Sequence, residues 1–399
     1  MDRKRLIDIA AGREKADLVI KGASVVDVLG GRLIKGDVAV ADGVFVGVGE
    51  YSGKTEVSGE GKYVMPSFYD AHLHFESVMV RPSEYLKRAV PRGVTSFNAD
   101  PHEIANVLGL KGIKFMMDDV RGIPADVHFM MPSCVPATPE DMSGCVLTSE
   151  EVKKGRDELG AFGLGEMMNY PGVLNCDEDV MKKLELFDVI DGHAPMINGN
   201  GLNAYLCGGI MTDHECESVD EALEKISKGM YVLIREGSQT KNLTTLIKAV
   251  NDHNLRRFLF CTDDRNIEDL TEFGTVGNCI RLATECGMDP VAAITIASLN
   301  AYEAYGFRRR GAIAPLYKAD FLITSDITAQ KVDAVYFGGE RIAENGKPLF
   351  SVTPASADGV TGTVNIKPVT ADDLECKFTS GMDAVSYTHL RAHETSAHL

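Results

Sequence analysis

The sequence predicts an α/β fold, a TIM (β/α)8 barrel with a small β-sandwich domain built from both flanks of the barrel. Three observations predict it. Apolar strand candidates alternate with helical stretches eight times over residues 66–305, the rhythm and length of such a barrel. β-Branched runs broken by glycine lie on both sides of that region, at 17–50 and again between 311 and 339. Six of the eight strand candidates end in a histidine or a carboxylate, and active sites of this architecture form where strands end. A doubly wound open sheet would share the alternation, but its Gly-rich phosphate loop is missing here.

Taken in order, ADLVIKGASVVDVLGGRLIKGDVAVADGVFVGVGE at 16–50 reads as successive hairpins, with Asp42-Gly43 as a turn signal. The eight strand candidates are YVMPSFYDAHLH, VTSFNAD, DVHFMMP, AFGLGE, FDVIDGH, GGIMTDH, MYVLIRE and RFLFCTD. Stretches such as EIANVLGLKGIKFMMDD, SVDEALEKISKG and TKNLTTLIKAVNDHN separate them as helices, with Ser or Thr near several starts. GAIAPLYKADFLITSD and VDAVYFGG then return to the texture of the first segment and would complete its sheet. The expected domains are therefore 1–65 with 306–352 as the β unit, 66–305 as the barrel, and 353–399 as the start of a truncated C-terminal domain followed by an atypical tail.

Composition narrows the partners. With 41 Lys and Arg against 58 Asp and Glu, the formal charge of −17 argues against nucleic acid or an anionic membrane surface, both of which need a basic face. No apolar run reaches the ~20 residues that span a bilayer. Nine cysteines, an odd number without a Cys-x-x-Cys pair, and a Met-Asp-Arg-Lys start without an apolar stretch suggest a reduced, cytoplasmic protein. A small-molecule substrate and a homo-oligomeric assembly are expected.

The chemistry sits at the strand ends. His72 and His74 lie at i and i+2, so on a strand both point to one face and can hold one cation; Asp70 and Glu76 flank them. As a bare tripeptide the pair would equally suit two histidines satisfied by backbone. Glu166 ends the fourth strand, where a carboxylate could bridge two metals or simply face solvent. His193 and His214 end the next two strands and could complete a second metal's shell. Asp263 ends the eighth and could ligate a metal and take a proton from water, or cap the next helix, a role open equally to Asp264. His102 and Glu103 follow Asp100 as an acid-base pair or an ordinary helix start. Arg235 and Ser238 end strand seven and could orient substrate, with a structural ion pair as the alternative for Arg235. Pro132 to Pro136 would shape a pocket wall. Such a site suits metal-assisted hydrolysis, because a bound cation lowers the pKa of water towards ~7. Carboxylate and imidazole ligands without thiolate suit Mn, Fe or Zn. Cys261 is the one cysteine close to this set, two residues before Asp263, which makes a cysteine nucleophile a poor reading.

The order of an early β unit, a His-x-His strand, a late Asp and IASLNAYEAYGFRRRGAIAPLYKADFLI resembles the amidohydrolase superfamily. HLHFES, ADPHEIANVLG, MPSCVPAT, NGLNAYLCGGIMTDHE, LIREGS and FLFCTDDR, in that order across 17–340, are similar more narrowly to its bacterial adenine deaminase family. That resemblance implies hydrolysis of adenine to hypoxanthine and ammonia, a purine salvage and adenine catabolism reaction, at a site of two Mn2+ or Fe2+ ions. It implies that His72, His74 and Asp263 hold one ion, that Glu166 bridges, and that His193 and His214 hold the other. Asp263 would accept the proton of the attacking water, and Glu103 or Glu215 would protonate a ring nitrogen. Many relatives bridge through a carbamylated lysine, which this strand does not offer.

Members of that family continue beyond 399 residues, and the final AVSYTHLRAHETSAHL, with three of the ten histidines, matches no pattern of the family. It reads as a foreign tail on a truncated chain. Two other functions compete: another amidohydrolase acting on a cyclic amide, imide or different aminated heterocycle, and a non-catalytic barrel scaffold. A scaffold has no reason to gather buried acids and imidazoles.

Overall fold

The computed structural model describes residues 2–138, 141–363 and 366–375. The atypical tail expected at the C-terminus lies outside the described residues.

The first flank supplies strands β1 (Ala16–Asp27), β2 (Arg32–Ala41), β3 (Val44–Gly49), β4 (Gly53–Ser58) and β5 (Tyr63–Pro66). β1 pairs antiparallel with β2 and parallel with β4 and β5, and β2 pairs antiparallel with β3. Asp42 and Gly43 both take positive φ, +50° and +77°, the two-residue turn that matches strand twist and that Asp-Gly favours. Successive side chains of β1 serve opposite faces. Leu18 and Ile20 join one cluster, while Val19 packs with Val44 and Val46 under an N-terminal helix, Arg3–Ala10, through Leu6 and Ile9. That helix was not anticipated from the sequence.

Eight parallel strands follow: β6 (Phe68–Leu73), β7 (Val94–Ala99), β8 (Asp126–Met131), β9 (Gly163–Met167), β10 (Ile190–Gly192), β11 (Thr212–Asp213), β12 (Tyr231–Arg235) and β13 (Phe258–Cys261). They form a five-stranded sheet, β6 to β10, and a three-stranded sheet, β11 to β13, each in chain order. The edges of the two sheets meet. Asp263 donates its N–H to the carbonyl of His72 at 2.9 Å, next to a parallel bridge between Leu73 and Asp263, and Met211 donates to the carbonyl of Ile190 at 3.0 Å. Gly192 permits the second approach, because a Cβ there would lie 2.2 Å from the carbonyl oxygen of Thr212.

The chain then returns to the first sheet through β14 (Phe321–Thr324), β15 (Val332–Phe337), β16 (Glu340–Glu344) and β17 (Lys347–Pro348). β14 pairs antiparallel with β5, so both flanks join in one continuous nine-stranded sheet.

Several sequence expectations need correction. YVMPSFYDAHLH is two strands: Tyr63–Pro66 belongs to the flanking sheet and the parallel array begins at Phe68. The helix expected over EIANVLGLKGIKFMMDD breaks at Gly109 (φ +57°, ψ −143°) into His102–Leu108 and Leu110–Asp119. TKNLTTLIKAVNDHN keeps only a short helix, Leu243–Leu246, and a 3-10 turn, since β-branched residues and Asn compete poorly for helix. GGIMTDH contributes two paired residues.

Candidate active site

Strand ends carry the chemistry to one place. His72 is the penultimate residue of β6 and His74 follows the strand; both Nε2 atoms face Asp263 Oδ1, at 3.8 and 3.3 Å. Asp70, two residues earlier, points elsewhere. Its carboxylate accepts the N–H of Thr262 at 2.9 Å and its hydroxyl at 2.6 Å, locking β6 to the end of β13. Asp263 occupies the left-handed region (φ +51°), a conformation that costs a non-glycine residue ~1 kcal/mol or more and that clusters at functional sites. It does not cap the following helix, where Asn266 accepts from Asp269 N, and Asp264 is engaged by the hydroxyl of Ser77.

Glu166, on β9 and 4% exposed, lies at the centre of the cluster. Its Oε1 faces His102 Nδ1 at 3.3 Å and His74 Nε2 at 3.6 Å; its Oε2 faces His193 Nδ1 at 2.8 Å and His214 Nε2 at 3.2 Å. One carboxylate thus divides four imidazoles into two pairs. The His72 and His214 rings stack at 4.2 Å. Gly165 makes room for this arrangement, since a Cβ there would lie 2.2 Å from Asp100 Oδ2, the atom that accepts the Glu166 N–H at 2.8 Å.

Buried polar contacts hold these groups. His74 Nδ1 bonds the carbonyl of Asp100 at 2.8 Å, which leaves Nε2 facing the cluster. Lys225, 0% exposed on the helix Val219–Ser227, donates to the Ala194 carbonyl at 2.7 Å, Asp213 Oδ2 at 2.9 Å and Glu221 Oε1 at 2.7 Å. It thereby ties the residue after His193 to the residue before His214. Asn242 accepts the Arg235 N–H at 2.9 Å and donates to the carbonyls of His214 and Cys216.

Arg235, 2% exposed, donates to Asp263 Oδ2 at 2.8 Å and to both oxygens of Glu215. Glu215 Oε1 lies 3.4 Å from His214 Nε2. Ser238 stands apart from the imidazoles: its hydroxyl accepts the Asn266 N–H at 2.9 Å and its own N–H donates to the Asp264 carbonyl. Glu103 Oε1 lies 3.4 Å from His102 Nε2. Pro132 to Pro136 contributes a wall in which Ser133 bonds the Glu166 carbonyl. Cys261 is fully buried, and burial pushes its thiol well up.

The electrostatics fit cation binding. Burial disfavours charge on the imidazoles of His72, His74, His102 and His214 and pushes His72 well down, reinforced by His214 and His74. Elsewhere the carboxylates prevail over burial: Glu103 and Asp100 help bring His102 to about 10, and Glu166 and Asp263 bring His214 to about 9. Glu166 and Asp263 are themselves held well below the usual carboxylate range by the histidines, against burial. His72 Nε2 is buried without a hydrogen-bond partner, although it faces the cluster. An orphaned imidazole nitrogen among buried carboxylates is what a divalent cation would satisfy, and two of the possible ligand groups are His72, His74 and Glu166, and Glu166, His193 and His214. Sequence reasoning missed Lys225 and Asn242. Lys225 sits four residues after Glu221, a spacing that reads as an exposed helix pair.

Residues 63–342 match the model of the amidohydrolase family. An adenine deaminase of Clostridium acetobutylicum is 45% identical over 394 residues, covering 98% of this chain and 69% of that protein. One of Petrotoga mobilis is 47% identical over 380 residues, covering 94% and 67%. The chain thus spans about two thirds of the length of these relatives. Among solved structures, atrazine chlorohydrolase from Arthrobacter aurescens superposes with a TM-score of 0.63 at 13% identity, covering 84% of this chain and 97% of that one. An enamidase superposes at 0.61 with 18% identity, covering 84% and 98%. Those two likenesses speak for the fold alone.

Proposed function

The chain belongs to the adenine deaminase branch of the amidohydrolase family, and on that premise we propose that it hydrolyses adenine to hypoxanthine and ammonia at a two-metal site. The observation that carries the reading is Glu166, whose two oxygens each face a separate pair of imidazoles. His72, His74 and Asp263 would hold one ion and His193 and His214 the other, with Glu166 serving both. Mn2+ or Fe2+ suits the donor set, and Zn2+ is compatible with it. Such ions lower the pKa of water towards ~7 and stabilise charge that develops on the reacting centre.

The chain's own residues supply the rest. Asp263 accepts the proton of the attacking water through Oδ1, while Arg235 occupies Oδ2 and fixes the carboxylate's orientation. Arg235 accordingly acts on substrate through Asp263 and Glu215. Glu215 or Glu103, whose side chains are 16% and 32% exposed, delivers a proton to a ring nitrogen as the amino group leaves as ammonia. His102 lines the same side as Glu103. Ser238, with its hydroxyl hydrogen free to donate, would meet substrate only at the rim.

This reading takes the eight parallel strands as a closed (β/α)8 barrel over 66–305. It takes residues 1–65 with 306–352 as a small β-sandwich. A cytoplasmic homo-oligomer in purine salvage is the setting we infer. Among the described residues no helix is long and apolar enough to cross a membrane. The test is ammonia release from a panel of aminopurines by Mn-loaded protein of verified metal content. Release from adenine above the others is expected, and none from adenine at full occupancy would overturn the proposal.

A further inference from the structure

Glu166 serves both halves of the site only if its strand end stays fixed relative to the histidines that follow. The backbone there departs from regular sheet. Between the pairs Ile190–Leu164 and Gly192–Met167, β9 advances three residues while β10 advances two. An irregularity of this kind breaks the ladder locally and re-aims a side chain, here in the stretch that contains Glu166. Side chains take up the backbone groups around it. Glu166 donates its N–H to Asp100 Oδ2 at 2.8 Å, and its carbonyl accepts the hydroxyl of Ser133. On the facing strand, Gly192 donates its N–H to Thr212 Oγ1 at 3.1 Å and Ala194 to Asp213 Oδ1 at 2.8 Å.

Tyr205 joins the two sides with one atom. Its hydroxyl accepts the N–H of His193 at 3.1 Å and donates to the carbonyl of Met167 at 2.7 Å. The side chain is fully buried on the helix Gly199–Cys207. Gly192 lets the hydroxyl reach both groups, because a Cβ there would lie 3.1 Å from its oxygen. Thr212 and Asp213 tie the residues around His193 forward to β11, whereas Tyr205 ties His193 back to β9. The residues it joins are the neighbour of Glu166 and His193 itself, and Glu166 Oε2 meets His193 Nδ1 at 2.8 Å. A hydroxyl that donates to one strand end and accepts from the other fixes their separation.

We propose that Tyr205 is a positioning residue, which sets the spacing of Glu166 and His193 and thereby the affinity for the ion held by His193 and His214. The inference rests on the two-metal reading of the site. Tyr205 acts through backbone groups alone. Removing its hydroxyl strands a buried N–H and a buried carbonyl, and each strand end must shift to find another partner. Groups that support metal ligands from behind are typically worth 10–100-fold in metal affinity. Tyr205→Phe should therefore weaken the second ion by about 10–100-fold and leave the ion of His72, His74 and Asp263 unchanged.

The experiment titrates the full metal-free chain with MnCl2, followed by calorimetry and electron paramagnetic resonance. The unaltered chain should take up two ions that give a spin-coupled signal. Tyr205→Phe should show the isolated six-line signal of a single ion over the range in which the unaltered chain is already coupled. Coupling and ammonia release should both return at about 10–100-fold higher Mn2+. Tyr302→Phe is the control, since it also removes a buried hydroxyl, one bonded to Ser96 at 2.6 Å, and it should leave both affinities as they are. An unchanged second affinity in Tyr205→Phe, equal weakening of both ions, or the same loss in Tyr302→Phe would overturn the inference and leave the two-metal reading standing. One ion or none in the unaltered chain would overturn both. Should Tyr205→Phe not fold, amide exchange in the unaltered Mn-loaded chain decides: a protected His193 N–H supports the bridge, and exchange at the rate of an open amide refutes it.

Discussion

Replacing Lys225 by Met tests how the second pair of imidazoles is held. The ammonium uses all three hydrogens, on Ala194, Asp213 and Glu221, and neither Lys225 nor Asp213 has any exposed surface. Burial alone would raise the Asp213 carboxyl, and Lys225 holds it below its usual range. Removing one partner of such a pair leaves a charge stranded in the interior, at a cost of about 3–5 kcal/mol. That is a large part of the ~5–15 kcal/mol that holds a domain folded. Asp213→Asn added to Lys225→Met removes the stranded charge, and its amide can still accept the Ala194 N–H that now bonds Oδ1 at 2.8 Å. The double variant should therefore recover about 2 kcal/mol relative to Lys225→Met alone. Urea unfolding followed by circular dichroism measures both, and metal analysis should find that Lys225→Met loses the ion held by His193 and His214 before the other. Additive losses within about 0.5 kcal/mol, with both ions retained, would refute the idea that Lys225 staples the two loops.

Glu166→Gln should lose one of the two ions of the central pair, and retention of both would remove its bridging role. Asp263→Asn should lower the rate of ammonia release by about 10²–10⁴-fold, the usual range for a lost general base, and a loss of less than tenfold would count against that role. Manganese affinity should rise with pH: metal-free His214 holds its proton up to about 9, and a cation must displace it. Calorimetry is therefore expected to give binding at least about tenfold tighter at pH 8.5 than at pH 6.5, with protons released; equal affinities would contradict the sign. Gly165→Ala would force a methyl against Asp100 Oδ2 and should destabilise the protein by about 1–3 kcal/mol while loosening metal binding; unchanged stability and metal content would show the approach is relaxed.

Features governed by local rules were legible in the sequence. Asp42-Gly43 reads as a tight turn because few other residue pairs accept two positive φ angles, and the structure has that turn. The ligand candidates could be singled out because strand ends of a parallel array share one mouth, so no long-range pairing had to be known. What escaped depends on distant parts of the chain. Tyr63–Pro66 is apolar and contiguous with β6, and only its pairing with Phe321–Thr324 assigns it to the other sheet. Lys225 is indistinguishable by spacing from a surface lysine until the loops after β10 and β11 close over it. Asp70 and Glu76 flank the His-x-His pair in sequence, yet one fastens β6 to β13 and the other turns towards the helix at Ile104.

The pairing of β5 with β14 also bears on the order in which the protein can fold during synthesis. Tyr63–Pro66 emerges early, but its partner Phe321–Thr324 follows about 250 residues later, roughly 10–50 s at ordinary rates of translation. Throughout that interval the inner edge of the first sheet is the open strand Tyr63–Pro66, available to a neighbouring nascent chain. The parallel array must therefore be threaded and largely compact before its own support is finished, and the last step of assembly joins the two ends of the ring. A nascent chain stalled between β13 and β14 should expose that edge, and its capture by chaperones there marks the interval in which the protein is most vulnerable.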